Sequence, residues 1–242
     1  MAAYQDVFRR YEKKYMLDSK QYEALRRMLE PFMEADSYGQ HTICNLYYDT
    51  ESFELIQTSL DKPTYKEKLR LRSYGVPHAQ DAVYLEIKKK YEGVVNKRRV
   101  RMTLTEAYRY LNAGIRPAKD SQILREIDWF LQHNAVRPRA FIAYDRTALF
   151  GRGDEALRIT FDRNIRWRED VLDLSAGDAG ERLIGRDRIL MEIKFPDAMP
   201  FWLAGTLSLL GIYPLSFSKY GTCYREHLQQ DSMIKQGGIY CA

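Results

Sequence analysis

Cysteine is scarce in this chain, and the three present, Cys44, Cys223 and Cys241, have spacings that fit neither a disulfide framework nor a zinc site. A reducing cytoplasm is the simplest reading. The four histidines, His41, His78, His133 and His227, are scattered without ligand spacing and read as surface or packing residues. Long hydrophobic runs are missing too. The longest apolar stretch, Met199 to Leu210, is interrupted by Pro200, Gly205 and Ser208, so a buried helix is expected and not a membrane span. The opening Met-Ala-Ala-Tyr-Gln-Asp has no apolar signal region. No Pro/Gly/Ser-rich linker or low-complexity tract divides the 242 residues, and a single domain over 1–242 is expected. Gly151-Arg-Gly153-Asp154 is read as a hairpin turn and not a phosphate loop, since no Gly-Lys-Ser/Thr follows.

What the chain does have is charge arranged by parity. In a strand, residues i, i+2 and i+4 share a face. Lys66, Lys68, Arg70 and Arg72 therefore lie on one side of a strand whose other side carries Leu69 and Leu71. Glu86, Lys88 and Lys90 alternate with Leu85 and Ile87, and Lys97, Arg99 and Arg101 with Val100 and Met102. Arg10, Glu12 and Lys14 follow the same rule, as do Arg158 with Asp162, Glu192 with Lys194, and Arg146, Asp49 and Arg188. On those faces fifteen Lys and Arg meet five Asp and Glu, whereas the whole chain carries a formal charge of only +5. A face that is merely solvated mixes signs, because like charges opposite each other across strands repel. A polyanionic ligand is the partner this pattern fits.

Turn signals at Gly75-Val-Pro77 and Glu92-Gly93 help delimit strands over about 41–49, 64–75, 82–91 and 94–103. Others are expected over 8–17, 138–149, 156–163, 188–196 and 212–218. Helices are expected from an N-cap at Asp18 or Ser19 to near Glu30, from Thr105, from Ser121, and over Met199 to Leu210, with a helical tail from Gly221. Strands apolar on one face and charged on the other need helices outside and a polar interior. The fold expected is α+β, an antiparallel closed barrel of about eight strands clad in helices.

Seven motifs, in order along nearly the whole chain, resemble the catalytic domain of the vacuolar transporter chaperone (VTC) family. They are Glu12-Lys-Lys14-Tyr15, Lys68-Leu-Arg70-Leu-Arg72, Glu86-Ile-Lys88, Tyr144-Asp-Arg146, Leu157-Arg158-Ile159, Met191-Glu192-Ile-Lys194 and Phe217-Ser-Lys219-Tyr220. That domain belongs to the triphosphate tunnel metalloenzymes. The resemblance implies an eight-stranded tunnel and polyphosphate polymerase activity, in which a nucleoside triphosphate donates its terminal phosphoryl group to a growing polyphosphate chain with manganese or magnesium. It assigns Lys14, Arg70, Arg72, Lys88, Arg146, Arg158 and Lys219 to the phosphates, with Lys68 and Lys194 as further substrate contacts. One of Lys97 and Arg99 joins them, and parity leaves both open. Glu192 matches the metal-binding glutamate, with Glu12 and Glu86 as second candidates, although Glu192 and Lys194 could also simply pair across the sheet.

Two departures matter. Fungal members join this domain to an inositol-pyrophosphate-sensing domain and transmembrane helices, neither visible here, so a membrane-protein partner stays undefined. The thiamine-triphosphatase and adenylate-cyclase branch carries Glu-x-Glu-x-Lys in its first strand, where this chain has Arg10-x-Glu12-x-Lys14. Fewer carboxylates suit a long polyanion better than two metals. Competing readings are a tripolyphosphate or nucleoside triphosphate hydrolase, a non-catalytic polyphosphate receptor, and an RNA-binding module. Nucleic acid is disfavoured because each basic strand shares its other face with apolar neighbours.

Overall fold

The computed structural model describes residues 10–61, 63–92 and 94–229. The chain divides into two compact units, each assembled from three separate segments. Among the described residues the strands form one antiparallel sheet of eleven members.

The first unit comprises residues 10–41, 144–165 and 184–217. Its elements are β1 (Arg10–Leu17), α1 (Ser19–Leu29), β2 (Met33–Ala35), most of β7 (Arg137–Gly151) and β8 (Asp154–Arg168), β10 (Ile189–Pro196), α5 (Phe201–Leu209) and β11 (Pro214–Leu215). The strand order is β11-β1-β10-β8-β7, with β2 on β7. Helix α1 begins where the sequence says it should. The Asp18 side chain accepts from the Gln21 backbone N–H, and the Gln21 side chain accepts from that of Asp18, closing a capping box. Its Leu25 and Leu29, with Leu203 and Leu207 of α5, pack on Tyr15, Leu17, Ile159, Phe161, Met191 and Ile193. Each fully buried Leu or Ile contributes about 1.5–3 kcal/mol. The opposite face of those strands is left to Glu12, Lys14, Arg158, Thr160, Glu192 and Lys194.

The second unit comprises residues 42–143, 166–183 and 218–229. It holds β3 (His41–Asp49), α2 (Glu54–Leu60), β4 (Tyr65–Tyr74), β5 (Ala82–Tyr91), β6 (Val94–Thr103), α3 (Leu104–Ala113), α4 (Gln122–His133), β9 (Glu181–Arg182) and α6 (Lys219–Cys223), which runs into a π-helical turn over Tyr224–Leu228. Strands follow the order β7-β3-β4-β5-β6, and β9 pairs with the end of β8. Ala107 and Tyr110 of α3, with Leu124, Ile127 and Phe130 of α4, cover Leu69, Leu71, Leu85, Ile87 and Met102. Thr103 and Glu106 close a second capping box, and Gly114 ends α3 at φ +68°, a conformation glycine adopts without strain.

Several expectations change. The hydrogen-bonded order is a path with ends at β11 and β6, so the closed eight-stranded barrel is not what the pairing gives. Parity of charge fixes which face a side chain takes and is silent on closure. The last strand, expected over 212–218, shrinks to Pro214–Leu215, where proline has no N–H to donate. The Met199 to Leu210 helix is buried on one side only, with Phe201 and Leu209 exposed. No helix among the described residues is long and apolar enough to cross a membrane. Short β2 and β9 and helix α2 had no expected counterpart. Gly151 to Asp154 is the expected hairpin turn, with Gly153 at φ +74°. Phe8, the expected first strand residue, Cys241 and the tail beyond 229 lie outside the described residues.

Candidate functional site

In the second unit, register turns parity into a grid. Lys68 faces Lys88, which faces Lys97; Arg70 faces Glu86, which faces Arg99; Arg72 faces Tyr84, which faces Arg101. Residues directly opposite in an antiparallel ladder share a face. All the sequence-predicted cations of β4, β5 and β6 therefore lie on one surface, around a single buried carboxylate. Glu86 Oε2 accepts from Arg70 Nε at 2.8 Å and lies 2.7 Å from its Nη2. Lys97 Nζ lies 2.8 Å from Glu86 Oε1, and Arg72 Nη1 lies 3.9 Å from Oε2. Burial pushes the Glu86 carboxyl up, but Arg70, Arg72 and Lys97 outweigh it and hold the group at about 2. Lys97 is lowered to about 8 by loss of solvent and then by the crowding Arg70 charge, against the pull of Glu86.

Lys97 and Arg99, undecided by parity, both lie on this surface but differ in company. Lys97 reaches Glu86, whereas the Arg99 guanidinium sits 4.8 Å from the Tyr84 ring centroid.

Strand β3 supplies what the sequence reading missed. Asn45 Oδ1 accepts from Arg72 Nε at 2.8 Å while its Nδ2 donates to the Ile142 carbonyl, and the Tyr47 hydroxyl accepts from Arg70 Nη1 at 3.1 Å. These neutral residues hold the two guanidinium groups in place. Their signal was register alone, since Asn45 faces Arg72 and Tyr47 faces Arg70. Tyr47 also stacks on Tyr220, whose hydroxyl donates to buried Asp49 at 2.9 Å. Lys219, half-buried, opens α6, and Lys68 Nζ donates to the Ser218 hydroxyl at 3.4 Å.

The first unit carries a second constellation. Lys14 faces Glu192, which faces Thr160; Glu12 faces Lys194, which faces Arg158. Lys14 Nζ lies 3.6 Å from Glu12 and 3.8 Å from Glu192, and it donates to the Phe217 carbonyl at 3.0 Å. Arg146 makes a fork to fully buried Asp162 at 2.6 and 2.7 Å, and its Nη2 lies 3.9 Å from Glu192 Oε2. Burial opposes the Arg146 charge, but Asp162 overcomes it and keeps the guanidinium protonated. Arg158 lies 3.8 Å from Asp36 and Lys194 lies 3.6 Å from Glu12. Glu192 faces Lys14 and Arg146.

The carboxylates differ in fitness for a divalent metal. Among the described residues no three Asp, Glu, His or Cys side chains converge into a ready-made site. Glu86 fits poorly, because an ion there would have to displace Arg70 and Lys97. Glu192 fits better: Lys14 and Arg146 nitrogens stand 3.8 and 3.9 Å from its oxygens, farther than the 2.7 and 2.8 Å at which Arg70 and Lys97 hold Glu86. Its cross-strand neighbour Thr160 has a buried hydroxyl with no hydrogen-bond partner among the described residues. Glu12 joins through Lys14. Such a sparse donor set suits an ion that brings phosphate and water ligands with it.

The sheet has relatives among solved structures. A candidate adenylate cyclase from Bacillus halodurans superposes with a TM-score of 0.50 at 13% identity, covering 86% of this chain and 92% of that one. A candidate adenylyl cyclase from Hippeastrum, described as having a dominant triphosphatase activity, gives 0.48 at 18% identity, covering 89% and 94%. The first of these likenesses speaks to fold alone. No curated protein matches in sequence. The model of the VTC domain matches residues 9–227. The chain belongs to the VTC-domain family. Membership implies triphosphate or polyphosphate substrates and a divalent metal.

Proposed function

We propose that the protein is a polyphosphate polymerase that moves the terminal phosphoryl group of a nucleoside triphosphate onto a growing inorganic polyphosphate chain. The observation that supports this most directly is the grid on β4, β5 and β6, where Lys68, Lys88, Lys97, Arg70, Arg72 and Arg99 surround one carboxylate. Phosphoryl transfer asks a protein mainly for alignment and for neutralisation of phosphoryl oxygens. Arginine supplies forked contacts and lysine a compact charge, and the surface mixes both.

In this reading Arg70, Arg72, Lys88 and Lys219 in the second unit, and Lys14, Arg146 and Arg158 in the first, bind phosphate and offset charge in the transition state. Lys68, Lys97, Arg99 and Lys194 add substrate contacts. Manganese or magnesium, held by Glu192 with Glu12 beside it, would withdraw charge from phosphate oxygens. Glu86 is the counter-ion of its grid and not a metal ligand. Asn45 and Tyr47 act by orienting Arg72 and Arg70.

The test is incubation with ATP and manganese, resolving phosphate products on a gel while assaying ADP. A ladder of long chains with matching ADP is expected. Free phosphate without a ladder would make the enzyme a triphosphatase, with water as acceptor. Glu192→Ala should abolish turnover while sparing much of the affinity for polyphosphate; equal loss of both would reduce the protein to a binding module.

A further inference from the structure

Strand β6 ends the order of the sheet, and a groove of about 490 Å3 lies beside it. Five consecutive residues, Arg99, Val100, Arg101, Met102 and Thr103, line that groove. Successive strand residues point to opposite faces, so a groove lined by five in a row wraps the strand's edge, and Gln80, just before β5, and Ala82, its first residue, complete the lining. Pro117 and Lys119 of the α3–α4 connection form the facing wall with Ile123 of α4. An edge of this kind offers backbone donors and acceptors to one more strand.

The groove also has a charge. Arg99, Arg101 and Lys119 contribute three cations. The one carboxylate, Glu106, is committed to the α3 cap, accepting from the Thr103 backbone N–H at 2.8 Å and its hydroxyl at 2.9 Å. Between the cations, Val100, Met102, Pro117 and Ile123 give an apolar floor.

We propose that β6 accepts an extended acidic segment of a partner protein as an added strand, with carboxylates and β-branched residues alternating along it. Main-chain hydrogen bonds supply the affinity of such strand addition and the alternate side chains its specificity. Self-pairing of two β6 edges is disfavoured, because it would bring Arg99 and Arg101 of both copies together. The groove shares Arg99 with the reaction proposed above, whereas Arg101 and Lys119 belong to the groove alone.

The experiment uses the full chain with no phosphate compound present. A fluorescent peptide of alternating Glu and Val is titrated in, and hydrogen exchange is followed at the amides of residues 94–103. Saturable binding with slowed exchange in β6 is expected, and Lys119→Glu should weaken it by about tenfold, the effect of ~1.4 kcal/mol. That variant should keep wild-type turnover and circular dichroism. Absence of binding, unchanged β6 exchange, or equal binding of a peptide with Pro in place of Val would overturn the proposal.

Discussion

Glu86 is enclosed by Arg70, Arg72 and Lys97, and its charge offsets the repulsion among the three cations. Replacing it with Gln should cost about 3 kcal/mol, since removing one member of a buried ion network strands the others; urea unfolding would measure this, and added tripolyphosphate should restore part of the loss. The same group gives an acid dependence. Its folded value of about 2 lies below its ordinary 4.5, so the unfolded chain takes up its proton first. Stability from this source is complete above about pH 4.5 and falls away as the pH drops toward 2, which a pH series of unfolding midpoints would show, and the Gln variant should lack that slope. Lys97, lowered to about 8, predicts the opposite limb: tripolyphosphate affinity should fall as the pH rises through 8, and Lys97→Arg should abolish that step. The cations were legible because alternation with Leu69, Leu71, Leu85 and Val100 displays them. Asn45 and Tyr47 were not, because a neutral residue on a strand face looks like any other until its cross-strand partner is known.

At the scale of elements, β3, β5 and β6 have the expected bounds, and β5 lies between the two turn signals. Helix α2 escaped for a specific reason. Phe53, where an N-cap should stand, has φ +62° and no capping side chain. Its start is held by Asp49, whose carboxylate accepts from the backbone N–H of Thr50 at 2.8 Å, Leu55 at 2.9 Å and Ile56 at 3.0 Å, as well as from the Tyr220 hydroxyl. Asp49 thus fixes a helix that begins five residues later and a second segment far along the chain, which no local pattern could reveal. Asp49→Ala should cost about 2 kcal/mol through lost capping and orphaned donors, and hydrogen exchange should accelerate first at Leu55, Ile56 and around Tyr220. Thr103→Ala, which removes half of a well-formed capping box at α3, should cost only about 1 kcal/mol.

At the scale of the molecule, each unit has its own core, yet neither is a continuous stretch of chain. Residues 42–143 hold most of the second unit but omit Leu174 of its core and Tyr220, the partner of Asp49. That fragment, expressed alone, should show weakened secondary structure by circular dichroism and bind a hydrophobic dye, whereas the whole chain should do neither. Parity could place side chains on faces and motifs could place the chain in a family. Neither could foresee a chain woven between two cores, because that is decided by contacts between residues more than a hundred positions apart.

The carboxylate at the centre of the cationic grid has a last consequence. Before any substrate arrives, Arg70, Arg72 and Lys97 already have an anion, one tethered to the strand and therefore present at high effective concentration. A small phosphate must compete with that resident for each cation singly, while a long polymer recruits many cations at once. The surface should accordingly act as a length filter, favouring chains over monomers by making brevity uncompetitive. Displacement of labelled polyphosphate by pyrophosphate, tripolyphosphate and longer chains, at equal total phosphate, should show potency climbing with length, and Glu86→Gln should flatten the climb.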